Sequence, residues 1–264
     1  MSDSNPVSTE SLSVLGIKTG RAGPRLLVLG AVHGNETCGP RAIEKVLADF
    51  DVEKLKLLRG NVTFVPITNP LAYQRGRREG DRNLNRNLRP TDTPQDFEDR
   101  IANALCPLIA QHDMLLDLHS FQSPGEPFAM LGPLNNEDTL QPFELAAHEE
   151  AVAVRLGPKR FVEGWLETYA AGVANRVKRA DQSVDPNARA TLLNTDPSYG
   201  IGTTEYMRSV GGVAITLECG QHDDPNAPEV GYRAILNAMA HLAMIEAPRP
   251  EPRTDVEVLR LTEV

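Results

Sequence analysis

The chain is poor in cysteine, lacks a net positive charge and has no long apolar run. Its three cysteines, Cys38, Cys106 and Cys219, are widely spaced and odd in number. That argues against a disulfide framework and for reduced thiols in a cytoplasmic setting. A formal charge of −9 and a pI near 5.2 argue against general nucleic-acid or anionic-membrane binding, which draw most of their affinity from a basic surface. No apolar stretch reaches the length needed to span a bilayer. Met1 to Glu10 has neither a basic segment nor an apolar segment of the secretory kind. What is present is an ordinary globular composition, 41% hydrophobic and 24% charged, in 264 residues. That is enough for one large α/β domain or one domain with an appendage. The expectation is a soluble, intracellular protein.

The alternation in residues 11–18 suggests an edge strand, and Arg25 to Val32 suggests a buried one. Ala42, Ile43, Val46, Leu47 and Phe50 fall on one face of a helix running from Cys38 to Phe50. Val62 to Ile67 reads as a strand, Pro94 to Gln111 as a helix, and Met114 to His119 as a third strand. Strands separated by helices imply βαβ units and a largely parallel sheet covered on both faces. Phe128 to Leu131 suggests a short strand, and Pro142 to Leu156 and Leu166 to Arg179 suggest helices. Asp181 to Gly202 reads as one long loop of the kind that often serves as a functional lid. Val213 to Glu218 is the last clear strand and Val230 to Ile245 the last helix. The expected division is a flexible N-terminus at 1–10, a hydrolase domain at 11–246, and a proline-rich linker with a strand-like stub at 247–264. The stub either pairs back onto the sheet or begins a second, β-rich domain.

The organising stretch is Gly30-Ala31-Val32-His33-Gly34-Asn35-Glu36, a glycine turn between strand and helix. On its own, a histidine three residues before a glutamate is an ordinary solvated turn. At the carboxyl end of a strand in an α/β sheet, the two can aim at one point in the crevice where such folds bind ligands. Two histidines and a glutamate suit a hydrolytic zinc ion with one position left for water. His119 ends the third strand and completes the set His33, Glu36, His119. Asp117 shares a strand face with His119 and could orient a ligand imidazole, or serve only as a structural acceptor. Glu218 ends the last strand, next to glycine, where a general base would stand. Residues 75–89 hold six arginines, Arg75, Arg77, Arg78, Arg82, Arg86 and Arg89. Such a run is usually a solvated face, but beside a hydrolase site it suits a small carboxylate-bearing substrate or an oxyanion.

With these residues in hand, the chain resembles the succinylglutamate desuccinylase/aspartoacylase family, relatives of the zinc carboxypeptidases. The matching pieces are GAVHGNE at 30–36, Leu84-Asn85-Arg86 within NLNRN, Asp117-Leu118-His119, and Leu217-Glu218-Cys219-Gly220. The resemblance implies a three-layer α/β/α sandwich, one zinc ion per chain on His33, Glu36 and His119, and Glu218 as base and then acid. It also implies Arg78 as the residue that polarises the scissile carbonyl, and Asn85 with Arg86 as the grip on the substrate carboxylate. The implied reaction is hydrolysis of a small N-acyl amino acid, with a homo-oligomer compatible. A peptide-cleaving zinc carboxypeptidase and a metal-binding but non-catalytic domain are the alternatives. Asn83 stands where the family usually has aspartate, and the β-rich carboxy-terminal part common in the family is represented only by the stub after Pro252.

Overall fold

A computed structural model of the chain describes residues 11–137, 140–178, 185 and 187–263. The expected flexible segment 1–10 and part of the expected loop, residues 181–184 and 186, lie outside the described residues.

The elements run in chain order as β1 (Leu15–Lys18), β2 (Arg25–Gly30), α1 (Cys38–Asp51), β3 (Asn61–Val65), α2 (Pro70–Gln74), α3 (Phe97–Ile109), β4 (Met114–Phe121) and β5 (Phe128–Met130). They continue as α4 (Ala146–Ala153), β6 (Arg160–Glu163), α5 (Trp165–Lys178), α6 (Arg189–Thr195), a 3-10 turn (Pro197–Gly200), α7 (Thr203–Ser209), β7 (Val213–Gln221), α8 (Ala227–His241) and β8 (Glu257–Arg260). The strands form one sheet in the order β1-β3-β2-β4-β7-β5-β6-β8. Among the described strand pairs, β1–β3 and β5–β7 are antiparallel and the others parallel.

Strand periodicity builds the layers. Leu26 and Val28 face α1 and α8 together with Leu116, Leu118, Ile215 and Leu217. Leu27 and Leu29 face α3 and α7 with Leu115 and Ala214. Alternate residues of the same strands thus fill two cores, one on each face, giving the three-layer α/β/α sandwich. The chain leaves β2 toward β3 on one side and β4 lies on the other. A crevice therefore opens at the carboxyl ends of β2 and β4, with β7 next in line.

Some sequence expectations need correction. The stretch 181–202 is not one long loop in its described part: it contains α6 and the 3-10 turn. Helix α6 has no buried residue, so it carries no apolar periodicity to read. The α4 helix starts at Ala146 and not at Pro142, because Phe143 forms an isolated antiparallel bridge with Asn136. The strand-like run near the carboxyl end pairs in parallel with β6 as the outermost strand.

Candidate metal centre and active site

The turn after β2 is shaped by close packing. A Cβ on Gly34 would lie 2.0 Å from the backbone carbon of Ala72 in α2, so only glycine fits. Ala31 takes φ 45°, a left-handed conformation unusual for alanine, which bends the chain sharply out of the strand. The turn then closes with the Glu36 N–H donating to the His33 carbonyl. His33 and Glu36 end up on its inner side, 3% and 1% exposed.

His119 comes from β4, two strands from β3, and meets them there. His33 Nδ1 lies 2.8 Å from Glu36 Oε1, and His119 Nδ1 lies 2.8 Å from Glu36 Oε2. One potential ligand atom from each of the three residues falls within 4.8 Å of the others. The outward nitrogens also have partners: His33 Nε2 is 3.1 Å from Asn83 Oδ1, and His119 Nε2 is 2.9 Å from Asp117 Oδ2. The second pair is close but poorly aligned, leaving His119 Nε2 and Asp117 Oδ1 without a well-formed hydrogen bond. Asp117 is held in turn by the Thr203 hydroxyl, which donates to Oδ2. Acceptors on both Nε2 atoms favour Nδ1 as the ligand atom of each imidazole.

Burial alone would raise Glu36, but the adjacent His119 and His33 hold its carboxyl well below the usual range. Burial lowers His33. His119 is also desolvated, yet Asp117 and Glu36 on either side raise it well above an ordinary histidine. Glu218 lies opposite His119 in the β4–β7 register. Burial pushes it up to about 7, with Glu36 and Asp117 adding to the rise and His119 and Arg78 opposing it. Its Oε2 is buried without a hydrogen-bond partner. Three carboxylates thus share a buried pocket with two imidazoles, an arrangement that a bound cation would satisfy. The donor set fits zinc, with His33, Glu36 and His119 as the residues to hold it.

The arginine run divides into two kinds. Arg82 pairs with Asp96 and Asp99, Arg89 with Asp196, and Arg75 with Asp81, so these three tie the loop to its surroundings. Buried Glu98 accepts from the backbone N–H groups of Gly80, Asp81 and Arg82, and sequence reading missed it. Arg78 is half exposed and reaches Glu36 Oε1 at 3.2 Å. Arg86 is only 7% exposed, and among the described residues it forms no ion pair. Asn85 turns its Oδ1 to the Thr203 N–H at 2.8 Å, so its acceptor caps α7 and does not face the crevice. Asn83 Oδ1 accepts from the Asn85 N–H at 2.8 Å as well as facing His33. Asn83 makes both contacts as a neutral amide. Behind Glu36, the Ser120 N–H donates to Oε2 at 3.2 Å and Ser120 Oγ lies 2.8 Å from His222 Nδ1. His222 gave no sequence signal, since it lies past the last clear strand in a polar turn.

Residues 22–129 match the family model of the succinylglutamate desuccinylase/aspartoacylase catalytic domain. No curated protein matches the chain. Among solved structures, a succinylglutamate desuccinylase/aspartoacylase from Rhodobacter sphaeroides aligns with a TM-score of 0.66 at 22% identity, covering 94% of this chain and 65% of that one. The product-bound ectoine utilization protein EutE (DoeB) from Ruegeria pomeroyi aligns with a TM-score of 0.64 at 22% identity, covering 94% and 64%. A succinylglutamate desuccinylase from Silicibacter sp. TM1040 gives a TM-score of 0.64 at 19% identity, covering 91% and 64%. At such identities the likeness is one of fold. The chain spans just under two thirds of the length of these three structures.

Proposed function

We propose, for a chain whose residues 22–129 belong to the succinylglutamate desuccinylase/aspartoacylase catalytic-domain family, a family of deacylases, that it is a zinc-dependent amidohydrolase cleaving the amide of a small N-acyl amino acid. The observation that carries this reading is the buried convergence of His33, Glu36 and His119 at the crevice, with Glu218 on the adjoining strand end. Zinc held there would acidify a water toward neutral pKa and polarise a carbonyl oxygen. Glu218, raised toward neutrality, is suited to take a proton from the attacking water and deliver it to the leaving nitrogen as the C–N bond breaks. A carboxylate and a free amine result. Arg78, half exposed and in contact with Glu36, brings a guanidinium to the rim, where it can stabilise negative charge developing on the carbonyl oxygen once a bound cation takes over the Glu36 carboxylate.

Arg86 is the counterpart for a substrate carboxylate. A buried guanidinium without a protein carboxylate is costly unless something else supplies negative charge. The carboxylate of an N-acyl amino acid would do so, with Asn85 alongside to complete the grip. All these groups lie between positions 33 and 218, within the proposed hydrolase segment 11–246. Three buried free cysteines, Cys38, Cys106 and Cys219, fit a reducing, cytoplasmic compartment.

The test is release of free amine from a panel of N-acetyl and N-succinyl amino acids, with short peptides included, by zinc-loaded protein against the chelated protein. Zinc-dependent release from N-acyl amino acids is expected. Cleavage confined to peptides would make the protein a carboxypeptidase. A folded, zinc-loaded sample that cleaves neither would make it a binding domain.

A further inference from the structure

Arg86 is held by aromatic rings where its neighbours in the run are held by carboxylates. Its Cζ lies 4.4 Å from the Tyr169 ring centroid, 5.1 Å from that of Trp165 and 5.8 Å from that of Tyr199. The rings also touch one another, with Trp165 and Tyr169 centroids 4.5 Å apart and those of Tyr169 and Tyr199 6.0 Å apart. One guanidinium nitrogen donates to the Tyr169 hydroxyl and the other terminal nitrogen to the Asn85 carbonyl. This accounts for two of five N–H donors.

The socket is joined to the arginine loop along its length. The Asn87 N–H donates to the Tyr199 carbonyl at 3.2 Å and the Leu88 N–H to the Ile201 carbonyl at 3.0 Å. Arg89 pairs with Asp196 at 2.9 Å, and the Asn87 side chain donates to the Leu193 carbonyl. Asn87 takes φ 49°, the left-handed turn that asparagine tolerates better than most residues. The 3-10 turn sits so close to α5 that a Cβ on Gly200 would lie 2.8 Å from both Leu166 Cδ1 and Tyr169 Cβ.

We propose that Trp165, Tyr169 and Tyr199 are positioning residues that fix the plane of Arg86 and thereby select substrates presenting a carboxylate edge-on to its free donors. The proposal rests on the reading of Arg86 as the carboxylate grip. A protein carboxylate in this place would neutralise the guanidinium and compete with the ligand. Aromatic faces attract the cation but leave its formal charge uncancelled. They also restrict the tilt of the guanidinium, and a planar, two-point contact depends on that tilt.

Trp165 is the single tryptophan of the chain and so reports on this socket directly. The experiment titrates the zinc-loaded full chain with succinate, using succinamide as the uncharged control, and follows tryptophan fluorescence. A saturable change with succinate alone is expected, and Arg86→Gln should abolish it. Tyr169→Leu should weaken binding about tenfold, between the size of an exposed and a desolvated cation–π contact, while Tyr169→Phe, which keeps the ring, should stay within a few-fold of wild type. Tyr199→Leu provides a second variant, with a smaller loss, should Tyr169→Leu fold poorly. In turnover of the best N-acyl amino acid, the leucine variants should raise KM with kcat nearly unchanged. A signal that survives Arg86→Gln, or affinity and KM unmoved in both leucine variants, would overturn the socket. Hydrolysis with unmoved KM refutes the socket and leaves the hydrolase standing. Socket-dependent binding without amine release from any substrate refutes the hydrolase and leaves the socket.

Discussion

Glu218→Gln should have two opposite consequences, both traceable to one carboxyl group. The side chains are nearly isosteric, and Glu218 shares no hydrogen bond with His33, Glu36 or His119, so zinc content should be unchanged. Loss of a general base costs about 10²- to 10⁴-fold in rate, which corresponds to roughly 3–5 kcal/mol of barrier. Stability of the metal-free protein should move the other way. In the folded state the Glu218 carboxyl is raised from 4.5 to about 7, mainly by burial. The folded protein therefore holds this proton more tightly than the unfolded chain. Its contribution is fully present below pH 4.5 and is lost as pH rises through 7. Across that window the loss accumulates at about 1.4 kcal/mol per pH unit, reaching on the order of 3 kcal/mol in mildly alkaline buffer. Glutamine does not ionise, so the variant should melt several degrees above wild type at alkaline pH, and the gap should close toward pH 5. Amine release, metal content and melting of the chelated protein across pH read all three quantities. Activity within about tenfold of wild type in a zinc-loaded variant would remove Glu218 from the base role. A melting difference flat in pH would show that its carboxyl does not pay the burial cost.

Two further substitutions probe the surroundings. Asn83→Asp should make the contact to His33 Nε2 charge-assisted and raise the imidazole's basicity, tightening zinc about tenfold in competition with a chelator. Weaker zinc would refute the orienting role given to this side chain. Arg208→Met removes the partner of Glu149, which is 2% exposed, meets Arg208 through two 2.9 Å contacts and also accepts from the Ala214 N–H. Stranding that carboxylate should cost about 3–5 kcal/mol, a fall in melting temperature on the order of 10 °C, while KM for substrate changes little.

What could be read from the sequence follows the range of the forces involved. The strands β2, β3, β4 and β7 announce themselves because each is buried on both faces and begins as a largely apolar run, with the polar site residues of β4 and β7 toward their carboxyl ends. The sandwich follows from their alternation with amphipathic α1 and α3. Ligand candidates could be read because each stands at a strand end, where local pattern and sheet topology agree. Helix α2 and strand β6 were not read: α2 is a five-residue helix started by the Asn69 cap and Pro70, whose Asn-Pro pair reads equally as a strand end, and β6 is four residues with a single buried position. Helix α7 was hidden for another reason: its buried face is largely polar, with Thr203, Glu205 and Arg208 satisfied by Asp117, Gly202 and Glu149.

The arginine run shows most clearly where local reading stops. Its six guanidinium groups look alike along the chain, and a run of charge alone suggests either a solvated face or an anion site. Their fates are decided by partners that composition cannot place. Asp96 and Asp99 at the start of α3 turn Arg82 into a structural tie. Asp196, more than a hundred residues away in sequence, does the same for Arg89. The segment itself contains no aromatic residue, yet Arg86 lies among three rings supplied by α5 and the 3-10 turn. Charge that is already paired cannot be offered to a ligand. The arginine suited to recognition is therefore the one whose neighbours are rings, and this distinction exists only once the 165–200 segment has folded against the loop.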